Sequence, residues 1–182
     1  MHFCRIFATI NNNEKNNVHY RRIPSDNQKT MVQKTIIANY GDWDLGKSES
    51  IILAYKMLRK AATSDKVLHT DKDDACAVLE INGIKVGICS QGDPRSCQKG
   101  WMDTLVNKEE CTIILAACRY NGATAGLILD YKNQGYRIFW TCNARIYEDD
   151  TNPRVAPKGT RSSFNEQWAT EIANLIENWC YA

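Results

Sequence analysis

Residues 35–58 constrain the fold more than any other part of this chain, because three patterns follow one another there without interruption. Residues 35–40 (TIIANY) form a short run of β-branched and apolar residues, which predicts a buried strand. Residues 41–48 contain two glycines, and in residues 51–58 the apolar side chains recur at helical spacing. The order of strand, glycine loop and helix predicts an α/β fold.

The loop itself reads GDWDLGKS and fits the pattern G-x-x-x-x-G-K-[ST] at every fixed position. The two glycines let the backbone fold tightly, so that consecutive N–H groups point inward at an anion. The following helix presents its first N–H groups and the positive end of its dipole to the same anion. The pattern therefore predicts a phosphate-binding loop.

Through GDWDLGKS and its flanking strand and helix, the chain resembles the P-loop NTPase superfamily. The resemblance implies that Lys47 reaches the β- and γ-phosphates and that the Ser48 hydroxyl ligates Mg²⁺. The other nucleotide-binding positions that it implies are Gly41, Asp42, Trp43, Asp44, Leu45, Gly46 and Glu49. A surface turn is the alternative interpretation, since four constrained positions match by chance in roughly one chain of this length per hundred.

An apolar hairpin is predicted at residues 76–81 and 84–89, because an Asn-Gly pair between two such runs favours a two-residue type I′ turn. The second run ends in SQGDP. Phosphate-loop proteins place a second Mg²⁺ carboxylate where an apolar strand ends, which makes Asp93 the candidate and Gln91 a candidate for orienting water. Ser90 occupies the place directly after the run, so a plain Gly-Asp-Pro turn is the alternative.

Further candidates follow other segments. Residues 112–118 (TIILAAC) predict a central buried strand, and Arg119 follows at its carboxyl end, the edge where ligands bind in open α/β sheets. Arg119 is a candidate for pairing with the γ-phosphate, and an exposed structural arginine is the alternative. Residues 65–74 are charged and predict a loop, in which Thr70 is a candidate for a second Mg²⁺-ligating hydroxyl.

The remaining patterns complete the predicted fold. They indicate helices at 96–108 and up to about 133, a strand at 136–142, a polar loop at 148–159, and a last helix opened by a capping box at 163–166. The resulting order β-α-β-β-α-β-α-β-α predicts a three-layer α/β/α sandwich whose sheet is mostly parallel, with one antiparallel strand from the hairpin. The position of the hairpin resembles the small-GTPase branch, but no [NT]-K-x-D motif is present, which favours adenine or an unselective site.

The first 33 residues differ from the rest, because they are polar, rich in Asn and without periodicity. We expect residues 1–33 to form a poorly ordered extension and residues 34–182 to form the nucleotide-binding domain. The extension lacks the apolar core and cleavage site of a secretory signal. Met31, just before the first strand, is an alternative start of the natural protein.

Composition narrows the class of protein. The net charge of +2 gives no nucleic-acid signal, and no apolar run approaches the ~20 residues that span a membrane. The eight cysteines include no C-x-x-C pair and the three histidines are scattered, so zinc spacing is absent. Free thiols predict a reducing compartment, and we expect a cytoplasmic protein.

The leading functional hypothesis is an ATP-dependent NTPase or nucleotide switch that uses Mg²⁺, with Lys47, Asp93, Gln91 and Arg119 as catalytic candidates. No Glu follows Asp93, so we expect slow turnover. One alternative is a small-molecule or nucleoside kinase. Another is a non-catalytic nucleotide-binding subunit that acts through a protein partner or a second copy of the chain, with residues 148–159 as the contact.

Overall fold

The structure is a computed structural model that describes residues 32–41, 45–71, 73–94, 96–143 and 158–182, the side chains of the last range from residue 162 onward. Its elements, in chain order, are β1 (Thr35–Tyr40), α1 (Lys47–Leu58), β2 (Ser64–Thr70), β3 (Ala75–Ile81), β4 (Ile84–Cys89), α2 (Gln98–Asp103), β5 (Ile113–Cys118), α3 (Ala123–Asp130), β6 (Arg137–Thr141) and α4 (Lys158–Tyr181). One π-helical turn, Thr104–Lys108, extends α2, and one 3₁₀ turn, Tyr131–Gln134, extends α3.

The six strands form one mixed sheet in the order β2-β3-β4-β5-β1-β6. Strands β4, β5, β1 and β6 pair in parallel, whereas β3 is antiparallel to both β2 and β4. The prediction of an α/β fold with a mostly parallel sheet is therefore confirmed. The predicted hairpin is also present, and Asn82 and Gly83 have φ angles of 49° and 75°, the positive values that a type I′ turn needs.

The prediction that residues 65–74 form a loop is wrong over most of its length, because β2 occupies Ser64–Thr70 and pairs with β3. Six of the seven β2 side chains are exposed and Leu68 is half-buried. A strand at the edge of a sheet with little buried surface has no apolar period, so its charged sequence resembles a loop.

Two apolar clusters form the core, and neighbouring residues of β1 contribute to different ones, as alternation along a strand requires. Ile37 joins the cluster that contains residues of α1 and α4, whereas Ile36 and Ala38 join the cluster that contains residues of α2 and α3. The apolar stripe predicted for α4 is core, since Trp168 and Ile176 are buried in the first cluster. No helix in the described ranges is long and apolar enough to cross a membrane.

Helix α4 begins at Lys158, so the prediction that a capping box at 163–166 opens it is wrong. Its first residues include Gly159 and have no apolar spacing, which hid the first turns from the sequence pattern. The predicted polar loop is therefore wrong for residues 158 and 159, and its residues 148–157 lie outside the described ranges. The predicted extension falls outside them as well, up to residue 31.

Candidate functional site

A cavity of about 600 Å³ opens at the carboxyl ends of β1 and β4, and we call it the edge cavity. Leu45, Gly46 and the first turns of α1 line one side of it, and the segment after β4 lines another. The lining residues on which the site depends are Gly46, Lys47, Ser48, Glu49, Gly92 and Asp93. The structure thus brings together the glycine loop and the acid that the sequence analysis singled out separately.

Gly46 ends the loop in a conformation that other residues rarely adopt. Its φ angle is 71°, in the left-handed region, and a Cβ atom at this position would overlap the Asn165 side-chain nitrogen. The Gly46 carbonyl accepts the Ser50 backbone N–H and the Ser50 hydroxyl, at 2.9 and 2.8 Å. At the other end of the loop, Gly41 donates its N–H to the Cys118 carbonyl. The predicted contacts of Asp42, Trp43 and Asp44 lie outside the described ranges.

Lys47 and Ser48 are the first two residues of α1. Lys47 is only 7% exposed, and its charge reaches the carboxyl end of β5: burial raises the pKa of the Cys118 thiol to about 11, and Lys47 acts in the opposite direction. The Ser48 hydroxyl donates to the Ser90 carbonyl at 2.9 Å. A hydroxyl that donates its proton keeps two lone pairs, so Ser48 can still act as a metal ligand.

Ser90 explains why no acid directly follows β4. Its buried hydroxyl donates to the Asp74 carboxylate at 2.7 Å and accepts the Ala75 N–H at 2.8 Å. Ser90 therefore ties the end of β4 to the start of β3. Asp73 lines the edge cavity from this side, a residue that the sequence analysis missed. Only the antiparallel pairing of β3 with β4 brings the amino end of β3 to the edge where β4 ends.

Asp93 reaches the cavity although β5 lies between β4 and β1 in the sheet. The chain after β4 must therefore cross the carboxyl end of β5, and Gly92 lies close to the end of that strand. A Cβ atom on Gly92 would lie 2.7 Å from the Ala117 carbonyl carbon and 2.8 Å from the Cys118 nitrogen. Glycine at this position lets the backbone pass close enough to place Asp93 opposite the loop.

Arg119 holds Asp93 in place through an ion pair of 2.9 Å. The Asp93 side chain is 65% exposed and that of Arg119 is 23% exposed. The Arg119 backbone N–H donates to the Thr124 hydroxyl in the first turn of α3, and its side-chain Nε is buried with no hydrogen-bond partner in the described part of the chain. The sequence analysis placed each residue after a strand but did not predict this ion pair.

Two candidates lie elsewhere. Gln91 does not line the edge cavity, because its side-chain oxygen accepts the Cys97 N–H at 2.9 Å, at the start of α2. Thr70 ends the exposed strand β2 and is likewise not a lining residue. The structure therefore does not bring either side chain to the loop.

A buried polar network lies behind the loop and was not visible in the sequence. Asn39 of β1 donates to Asn143, which follows β6, and Asn143 in turn lies 2.6 Å from Asn165 of α4. Asn165 donates to Glu49 at 2.8 Å. Single asparagines far apart in the sequence give no local pattern, so only the fold reveals the network.

The charges around the edge cavity are mixed. Lys47 and Lys56 contribute positive charge, whereas Glu49, Asp73 and Asp93 contribute negative charge. Within the described ranges, no group of three or more His, Cys, Asp or Glu residues lies close enough to hold a metal ion. Ser48 and Asp93 nevertheless fit Mg²⁺, since this ion is commonly bound by one or two carboxylates together with substrate phosphates and water.

Comparisons of the chain with protein-family models, with curated proteins and with solved structures found no match. Function is therefore inferred from the loop motif and from the chemistry of the edge cavity.

Proposed function

We propose that this chain binds ATP together with Mg²⁺ in the edge cavity and acts as a slow ATP hydrolase or nucleotide switch. One observation carries the proposal: the Gly46-Lys47-Ser48 end of a G-x-x-x-x-G-K-S loop faces Asp93 across a cavity of about 600 Å³ at the sheet edge. Core clusters that involve α1 and α4 on one side, and α2 and α3 on the other, support a P-loop-like three-layer sandwich.

The phosphates would be held by the loop and by the first turn of α1. The N–H groups there have no helical acceptor of their own, and the helix dipole adds positive potential at the same place. Lys47 adds a full charge from a largely buried position, where screening by water is weak. Together these groups favour a tri- or diphosphate.

Mg²⁺ would be held by the Ser48 hydroxyl and the Asp93 carboxylate. When bound, the ion would neutralise charge on the β- and γ-phosphates. The three carboxylates of the cavity repel an uncomplexed triphosphate, so we expect nucleotide binding to depend strongly on the metal. Arg119 pairs with Asp93 and, with nucleotide bound, would also stabilise charge on the γ-phosphate.

Slow turnover follows from what surrounds Asp93. Pro94 follows it in the sequence, where a carboxylate would be needed to activate water. Gln91, the other candidate for orienting water, is turned toward α2. The absence of an [NT]-K-x-D motif supports ATP over GTP, because no such carboxylate is available to read guanine.

A second candidate function, phosphoryl transfer to a small acceptor, is supported by a second cavity of about 410 Å³. Its lining includes Gln98, Thr124 and also Asp93, which therefore borders both cavities. An acceptor bound there would stand next to the terminal phosphate. Transfer of phosphate to an added acceptor with no release of free phosphate would support this function over hydrolysis.

The test is a titration of ATP and of GTP, each with Mg²⁺, against the wild type, Lys47→Ala and Lys56→Ala. Loss of a charge-assisted contact predicts about 100-fold weaker ATP binding by Lys47→Ala. Lys56 also lines the cavity but stands outside the motif, so its removal should change affinity by less than about threefold. Equal losses in both variants would indicate nonspecific attraction, and no binding by the wild type would refute the proposal.

A further inference from the structure

We propose that Asn143 and Asn165 are positioning residues that keep the N–H groups of Gly46 and Lys47 turned toward the phosphates. The inference rests on the proposed function, because it concerns the same loop. It adds two residues outside the motif, one after β6 and one on α4, on which nucleotide affinity would depend.

The geometry of the peptide units supports this role. The Asn143 side-chain nitrogen lies 3.2 Å from the Leu45 carbonyl and 3.4 Å from the Gly46 carbonyl. The described peptide bonds are all trans, and in a trans peptide unit the C=O and the following N–H point in opposite directions. Both N–H bonds of this amide point to closer acceptors, Ser50 and Asn165, so the two carbonyls are shared, longer contacts with the positive end of the amide. With the carbonyls on this side, the N–H groups of Gly46 and Lys47 point away from Asn143.

Asn143 is itself held from three sides. Its nitrogen lies 2.6 Å from both the Ser50 hydroxyl and the Asn165 side-chain oxygen, and its oxygen accepts from Asn39 at 3.0 Å. Asn143 is 9% exposed and Asn39 is fully buried. These partners fix the orientation of the amide, and Ser50, which accepts from Asn143, passes the restraint on to the loop by donating its hydroxyl to the Gly46 carbonyl at 2.8 Å.

Asn165 supports the loop directly from α4. It is 1% exposed, and its side chain occupies the space in which a Cβ on residue 46 would lie. Its nitrogen donates to Glu49 in the first turn of α1 at 2.8 Å. Asn165 therefore links helix α4 both to the end of the loop and to Asn143.

The experiment compares Asn143→Ala and Asn165→Ala with Ile172→Ala. Ile172 is buried in the cluster between α1 and α4 but takes no part in the network, so it controls for a general loss of stability. For each variant, the Tm without ligand and the Kd for Mg²⁺-ATP and for Mg²⁺-tripolyphosphate are measured. Tripolyphosphate reports on the loop alone, because it has no base or sugar.

We expect Asn143→Ala to weaken both ligands by about tenfold or more, and Asn165→Ala by less. Ile172→Ala should lower Tm at least as much and leave both Kd values within about twofold. The Gly46 and Lys47 amides, observed by NMR without ligand, should shift in both asparagine variants and stay unchanged in the control.

The possible failures are distinguishable. If the wild type binds both ligands and the asparagine variants lose no more affinity than Ile172→Ala, the positioning role is refuted while nucleotide binding stands. If the wild type binds neither ligand, both proposals are refuted. If Asn143→Ala does not fold, Asn165→Ala, which removes one acceptor and leaves Asn143 in place, decides the question.

Discussion

The two sides of the edge cavity are restrained in different ways. On the side of Gly46, the buried side chains of Asn39, Asn143 and Asn165 form a network behind the end of the loop. On the other side, Asp93 makes an ion pair with Arg119 and is 65% exposed. The end of the loop is therefore more tightly restrained than the acid. We therefore expect a substitution at Gly46 to weaken ligand binding more than a substitution at Asp93.

The largest effect is expected for Gly46→Ala. A left-handed conformation costs a residue with a Cβ about 1–2 kcal/mol, and the new methyl group would also collide with Asn165. We expect loss of ATP binding by at least about 100-fold, together with a lower Tm, measured by titration and thermal unfolding. Gly100→Ala is the matched control, because an added Cβ there meets no atom within 4 Å. Normal binding of ATP by Gly46→Ala would show that binding does not depend on the left-handed conformation of residue 46 or on its packing against Asn165.

Asp93→Asn tests the more loosely held side. Removing the charge should weaken binding of ATP with Mg²⁺ about 10- to 100-fold, whereas binding without Mg²⁺ should become slightly stronger because one repelling carboxylate is gone. Calorimetric titration with and without EDTA measures both. Asp73→Asn, at another acid of the same cavity, is the control. An equal loss in the two variants would mean that Asp93 contributes only to the overall potential.

Gly92→Ala should separate stability from metal binding on this side. The added Cβ would lie under 3 Å from backbone atoms of β5, which cannot give way as a side chain can, so we expect a loss of about 2 kcal/mol in unfolding free energy. Because the altered backbone would displace Asp93, Mg²⁺-dependent binding of ATP should weaken as well, although by less than in Asp93→Asn. Gly126→Ala, where space is open, is the control. An unchanged unfolding free energy would show that the chain does not pass this close to β5 at Gly92.

The smallest effect is expected for the buried thiols, which are unevenly divided between the two apolar clusters. Four buried cysteines lie in the cluster that contains residues of α2 and α3, and one lies in the cluster that contains residues of α1 and α4. Burial, with the Glu109 charge, raises the pKa of Cys111 from 9.0 to about 12. The folded state then keeps a proton that the unfolded state loses, so this stabilisation is complete below pH 9 and falls as pH rises toward 12.

Between pH 8 and pH 10, the unfolding free energy of the wild type should therefore fall by about 1 kcal/mol more than that of Cys111→Ala. Denaturant titrations at the two pH values measure the difference. Identical pH dependence in the two proteins would contradict the raised pKa.

Sequence patterns were sufficient where burial imposes a period. Strand β1, helix α1, the hairpin, β5 and the apolar stripe of α4 all follow from apolar spacing, whereas the ion pair between Asp93 and Arg119 was not predicted. Asp73 and Asn143 could not be found this way. Each reaches the site only through strand pairing or packing between distant segments, and neither has a local signal.

Strand β2 has a consequence for the behaviour of the protein in concentrated solution. Its outer backbone groups have no neighbouring strand in the described sheet, so they offer a template on which another chain could add a strand and begin to aggregate. Asp65 and Lys66 put charge on that edge, and the pairing register with β3 shifts between Val67 and His69, which twists the edge. The charged residues that made the β2 sequence resemble a loop therefore also hinder the addition of a further strand to this edge of the sheet.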